Sequence, residues 1–196
     1  MVWWSDHLAK KEVVRMNINE LYEKFKEKFE ANNGECYRVG RIAEISELLI
    51  NILSSKNCKN ISLYESPLSR TAGLVTELIG AGLEVHTDDL LHNTKTDDVG
   101  ITEVNWGIAE LGTLVQIAPE VDNRLCSTLV PIHVALLKTE NLIPDLDSML
   151  DVIDNLPQIP GFVGFITGPS RSSDIERILE IGVHGPKQVI AILVDE

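Results

Sequence analysis

The chain has 196 residues, of which 44% are hydrophobic and 24% charged, a balance that suits one substantial domain with a sizeable buried core. Its formal net charge of −13 would repel a phosphate backbone or an anionic membrane surface, so nucleic acid is not an expected partner. Cys36, Cys58 and Cys126 are odd in number and widely spaced, which fits a reducing compartment and offers neither a disulfide framework nor a CxxC motif for a cluster or structural zinc.

The opening residues, MVWWSDHLAKKEVV, lack a basic start followed by an apolar core, and no apolar run approaches the roughly 18 residues that span a bilayer. A cytoplasmic protein without a membrane span is the expectation. Residues 5–32 read as a charge-rich helix with Leu21, Phe25 and Phe29 at i, i+4 and i+8, and Asn32-Asn33-Gly34 stops it. So narrow an apolar stripe predicts a helix laid against the core or a partner surface, and with it association with other subunits or with a second copy. Residues 1–34 are therefore read as an N-terminal helical extension and 35–196 as the main domain.

Apolar strands and amphipathic helices alternate from Cys36 onwards. CYRV is a strand, RIAEISELLINILSS a helix with Ile42, Ile45, Leu49 and Ile52 on one face, NISLYE a strand, SRTAGLVTELIGAG a helix and LEVHT a strand. DDLLHNTKTDD reads as a polar loop, and GITEVNWGIAELGTLVQIAP follows it. In DNRLCSTLVPIHVALLK a short helix leads into the strand HVALLK, and IPDLDSMLDVIDNL is a helix with Pro144 in its first turn. GFVGFITG reads as a buried strand, SSDIERILEIG as a helix and QVIAILVD as the last strand. Strands alternating with helices of this length predict an α/β fold, a mainly parallel sheet with flanking helices.

Most motif classes are missing. GAGLEV closes a helix before a strand, the reverse of a dinucleotide-binding turn, and no P-loop, GxSxG, HExxH or EF-hand pattern occurs. The histidines show no metal-ligand spacing. What survives is TGPSRSSD. A strand ending in Gly168-Pro169-Ser170-Arg171, followed by a helix capped by Ser172 or Ser173 with Asp174 in its first turn, would place free N–H groups and a guanidinium at one anion pocket. A capped turn with an exposed arginine is the plainer alternative. Thr113, Arg124 and His184 are candidates for the remaining walls. Glu110, in an apolar segment beside Gly112, is either an acid or base with a raised pKa or the partner of a buried arginine.

The blocks GITEVNWGIAELGTLV, NRLCSTLVPIHVAL and ITGPSRSSDIERILEIGVHGPKQVIAILVD resemble, in order and content, the motifs of the LUD-domain family over roughly residues 60–196. Leu111 stands where relatives often carry Thr or Ser, and Ser173 where Ala is common. The resemblance implies a sheet similar to the ribose-phosphate isomerase, glucosamine-phosphate deaminase and CoA-transferase superfamily. It also implies a role in oxidising L-lactate to pyruvate beside two iron–sulfur partner proteins. Because this chain has no cluster-ligating cysteine pattern, no cofactor is expected in it, and the iron–sulfur clusters are expected on the partners. The expected role is a non-redox subunit that binds an anionic metabolite or organises the complex. The rival is a freestanding isomerase, deaminase or CoA-transferase-like enzyme acting on a phosphorylated or acyl substrate, with Glu110 as base or nucleophile.

Overall fold

The structure is a computed structural model that describes residues 17–158, 160–172, 180–181 and 184–196. Helix α1 (Ile18–Ala31) starts at a reciprocal cap: the Asn17 side chain accepts from the Glu20 N–H, and the Glu20 carboxylate accepts from the Asn17 N–H, both at 3.0 Å. Asn17 is extended, with φ −73° and ψ 163°, so this helix begins at Ile18 instead of running through from residue 5. Residues before 17 lie outside the described part.

The main sheet contains β1 (Glu35–Val39), β2 (Asn60–Leu63), β3 (Glu84–His86), β4 (Val99–Glu103), β7 (Ile132–Lys138) and β12 (Gln188–Val194) in the order β1-β12-β7-β4-β2-β3, with every pair parallel. One face is covered by α2 (Glu44–Ser55), α3 (Pro67–Thr71) and α4 (Leu74–Gly80), whose Ile45, Leu49, Leu68, Leu74 and Leu78 meet Ile61, Ile101, Val134 and Ile192. The segment expected as one helix, SRTAGLVTELIGAG, thus breaks into two at Ala72-Gly73, and Leu90–Asn93 in the expected loop forms the short α5.

The opposite face meets α1 and a second sheet. Leu21, Tyr22, Phe25 and Phe29 of α1 share one cluster with Cys36, Leu137, Ala191 and Leu193, and Phe25 and Phe29 are fully buried with stacked rings 5.4 Å apart. Burying a phenylalanine contributes about 1.5–3 kcal/mol, so α1 is tied to the core and not only to a partner. The second sheet holds β5 (Trp106–Ile108), β6 (Thr113–Ile117), β8 (Leu142–Ile143) and β9 (Val163–Ile166) in the order β8-β5-β6-β9, with β6 antiparallel to both neighbours. Helix α7 (Leu146–Asp154) covers its outer side through Met149. Asp145 caps that helix through the Ser148 N–H, so Pro144 lies before the cap and not in the first turn. Helix α6 (Val121–Thr128) leads into β7 as expected.

Two expectations for the C-terminal third change. GFVGFITG forms β9, an edge strand of the second sheet that pairs antiparallel with β6 and leaves Phe165 46% exposed, instead of a buried strand. Glu180–Ile181 (β11), expected at the end of a helix, pairs antiparallel with Arg171–Ser172 (β10). Residues 173–179 lie outside the described part. Among the described residues no helix is long and apolar enough to cross a membrane.

Candidate functional site

Two cavities meet the second sheet. The larger, about 440 Å³, opens at the carboxyl ends of β2 and β4 and is lined by Tyr64, Glu65, Ser66, Glu103, Asn105 and Asn123 among others. From β2 the chain crosses outward to β3, and from β4 it proceeds inward through β7 to β12. The cleft therefore lies where the winding reverses, which is where open α/β sheets bind ligands. Sequence reasoning missed it. The strand ends LYES and TEVN were visible as such, but only the strand order makes them neighbours.

Within the cleft, Glu103 Oε2 accepts from the Leu68 N–H at 3.0 Å, and the Tyr64 hydroxyl donates to Glu120 at 2.6 Å. That short bond to a carboxylate, with partial burial, pushes the Tyr64 pKa up to about 12.

The second cavity, about 260 Å³, lies against β9 and gathers Gly168, Ser170 and His184 with Gln116, Thr128 and Phe162. Three predicted site residues thus line one cavity. The Ser170 N–H donates to Pro186 O at 2.9 Å, which holds the 168–170 turn against the 184–186 turn. Arg124 sits on α6 outside the lining, with its guanidinium 5.1 Å from the ring centroid of Phe162, a lining residue. Thr113 is buried, and its hydroxyl is 2.9 Å from that of Thr167, another lining residue. Pro169 stands between Gly168 and Ser170, half-buried.

Arg171 and Glu110 fall elsewhere. Arg171 is exposed and donates from Nη2 to Asn32 O at 3.0 Å, a cation at the carbonyl end of α1. Asn32 Nδ2 in turn donates to Leu111 O at 3.3 Å. A side chain at Gly168 would come within 2.5 Å of Asn32 O, and one at Gly112, where φ is +60°, within 2.2 Å of Phe29 N. These glycines let both turns close on the helix end. Ser172 is a ladder residue of β10, and Asp174 lies outside the described residues. Arg171 and Ser172, expected at the entry to a helix, pair with Ile181 and Glu180, and the expected first turn at Ser173 and Asp174 lies outside the described residues. Glu110 is exposed in the β5–β6 turn, anchored by its N–H to Pro144 O at 3.1 Å, and lines neither cavity.

One buried polar network separates the cavities. Gln116 Nε2 donates to Asn123 Oδ1 at 2.8 Å, and Gln116 Oε1 accepts from the Ser127 hydroxyl at 2.9 Å. Beneath it on β7, fully buried His133 lies 2.9 Å through Nε2 from the Thr102 hydroxyl, and burial lowers its pKa to about 4.

Comparison with known proteins agrees with this architecture. A crystal structure of a DUF162 family protein from Deinococcus radiodurans superposes with a TM-score of 0.67 at 16% identity, covering 91% of this chain and 99% of that one. In sequence, "Lactate utilization protein C" of Halalkalibacterium halodurans is 27% identical over 164 residues, 80% of this chain and 71% of the relative. The protein of the same name from Geobacillus sp. strain WCH70 is 28% identical over 192 residues, 91% of this chain and 79% of the relative. That of Bacillus subtilis strain 168 is 35% identical over 113 residues, 56% of this chain and 47% of the relative. The profile of the LUD domain matches residues 22–194, from α1 to the end of β12, and the chain belongs to the LUD-domain family.

Proposed function

We propose that this chain is a subunit of an L-lactate-utilisation system. In this reading it binds a small anionic metabolite in the cavity beside β9, while iron–sulfur partner proteins carry the electrons. The carrying observation is the similarity over 192 residues to a protein named for lactate utilisation. The cavity supports the ligand class: hydroxyls of Thr167 and Ser170, the His184 ring and the nearby Arg124 guanidinium are groups that a carboxylate accepts from. Its volume of about 260 Å³ suits a three-carbon acid better than a nucleotide. The placement of clusters on partners rests on the cysteines, which are buried at separate places in the chain, on β1, in the α2–β2 connection and on α6, with the Cys36 and Cys126 pKa values pushed up to about 12 by desolvation.

Glu110, in an exposed turn outside both cavities, gives the isomerase or CoA-transferase alternative no enclosed reaction site. Deletion of the gene should abolish growth on L-lactate, and calorimetric titration of the purified chain with L-lactate and pyruvate should show saturable binding that weakens in Ser170→Ala and His184→Ala. Undisturbed growth on lactate would remove the system-level reading. Growth loss without binding would leave an organising role in the complex.

A further inference from the structure

We infer that the cleft at the ends of β2 and β4 is a second ligand site, one that takes a neutral, polyhydroxylated small molecule of about the size of a sugar ring. Its charge sets the first limit. Glu65 and Glu103 line it, and no Lys, Arg or His does among the described residues; Arg70 is drawn to Glu65 at 3.6 Å outside the lining. A carboxylate or phosphate ligand would be repelled there.

The amides decide between a cation and a polyol. Gln116 Nε2 lies 3.5 Å from the Asn123 carbonyl oxygen as well as 2.8 Å from Asn123 Oδ1. A backbone carbonyl only accepts, so this end of Gln116 is the NH₂ group, and Asn123 meets it with its oxygen. Asn123 Nδ2 then points away from Gln116, on a side chain that is 8% exposed and lines the cleft, and it has no acceptor among the described residues. The Asn105 side chain is used the same way: its Oδ1 accepts from the Ile117 N–H at 2.7 Å, leaving its NH₂ group. Glu103 spends Oε2 on the Leu68 N–H and keeps Oε1. Amide donors thus stand beside carboxylate acceptors in one cleft.

An ammonium ion only donates and would leave the amide donors unmet, whereas each hydroxyl of a polyol both donates to a carboxylate and accepts from an amide. Tyr64, its hydroxyl held by Glu120, and Trp106 offer aromatic surface for the C–H side of such a ligand. The Gln116 bond fixes the Asn123 amide before any ligand arrives, so part of the ordering cost of binding is already met.

The test is calorimetric titration of the full chain with D-ribose, ethanolamine and inorganic phosphate as separate probes. D-Ribose should bind saturably with a Kd of the order of millimolar, more tightly than either other probe. Asn123→Asp keeps the acceptor for Gln116 but replaces the free NH₂ group, and Glu103→Gln keeps the acceptor for Leu68 while removing the charge. Each should weaken D-ribose by about tenfold. Glu103 lies outside the buried network, so Glu103→Gln decides the matter if Asn123→Asp fails to fold. Absence of D-ribose binding, tighter binding of ethanolamine or phosphate, or unchanged affinity in the folded variants would overturn the inference. The lactate reading concerns the other cavity, so its failure leaves this result intact.

Discussion

The two cavities share a wall but have opposite chemistry. The cleft at β2 and β4 is framed by parallel strand ends and presents carboxylates and amides; the cavity at β9 is framed by an antiparallel edge strand and two turns, and presents hydroxyls, an imidazole and a neighbouring guanidinium. Gln116 lines the second and Asn123 the first, with 2.8 Å between their polar atoms. Proximity in the fold therefore does not make one site. A single hydrogen-bonded wall separates a cleft lined by carboxylates from a cavity lined by hydroxyls and an imidazole.

The largest expected effect tests what holds the β9 side together. Gly112→Ala puts a side chain at φ +60° and 2.2 Å from Phe29 N, so unfolding free energy should fall by about 2–5 kcal/mol in urea titration. A smaller loss would mean that the β5–β6 turn can lift off α1 freely, and the cavity beyond it would be less rigid than the cleft.

Next is acid. His133 is fully buried and its pKa is lowered to about 4, so below about pH 6.5 the unfolded chain takes up a proton that the native imidazole refuses. Stability present above pH 6.5 should be lost progressively as pH falls to 4, by about 3 kcal/mol in all. His86 has the opposite sign, because its hydrogen bond to Asp97 raises its pKa; that contribution is complete below the unfolded value and fades as pH rises through the raised one. Urea titrations of wild type and His133→Gln between pH 4 and 8 separate the two, since only the acid limb should flatten in the variant.

The shared wall itself is tested by Gln116→Leu. Asn123 Oδ1 loses its donor, at about 1–3 kcal/mol, whereas the Ser127 hydroxyl keeps Arg124 O at 3.0 Å as its acceptor. Ribose affinity in the cleft should fall along with stability, because the Asn123 amide is no longer held. If affinity is untouched, the two cavities are independent in energy as well as in chemistry.

The smallest effect separates the roles of the turn at 168–171. Arg171→Ala removes one N–H bond to the carbonyl end of α1 and should lower stability by about 0.3–1 kcal/mol in thermal melting. Lactate affinity should stay near wild type, since Arg171 does not line the cavity, whereas Ser170→Ala should weaken it. The reverse pattern would return Arg171 to the ligand.

Much of this was legible in the chain. The i, i+4, i+8 stripe of Leu21, Phe25 and Phe29 does bury a helix, and the runs VIAILV and HVALLK are the central strands of a parallel sheet, as continuous apolar runs should be. Gly168, Ser170 and His184, singled out from turn chemistry, do meet at one cavity. GFVGFITG misled because an apolar run does not reveal whether its strand lies in the centre of a parallel sheet or at the edge of an antiparallel one.

The sequence by itself determined the fold class, the family and the turn at Gly168, and it singled out Gly112 as a residue of unusual backbone freedom, because each depends on local periodicity or on conformational freedom within a few residues. Only the tertiary structure decided what those segments touch. Arg171 reaches a carbonyl 139 positions away, Gln116 divides two cavities, and Glu103 faces the helix that follows β2. Such pairings follow from strand order and layer packing, which bring distant residues together without leaving a periodic mark in the chain.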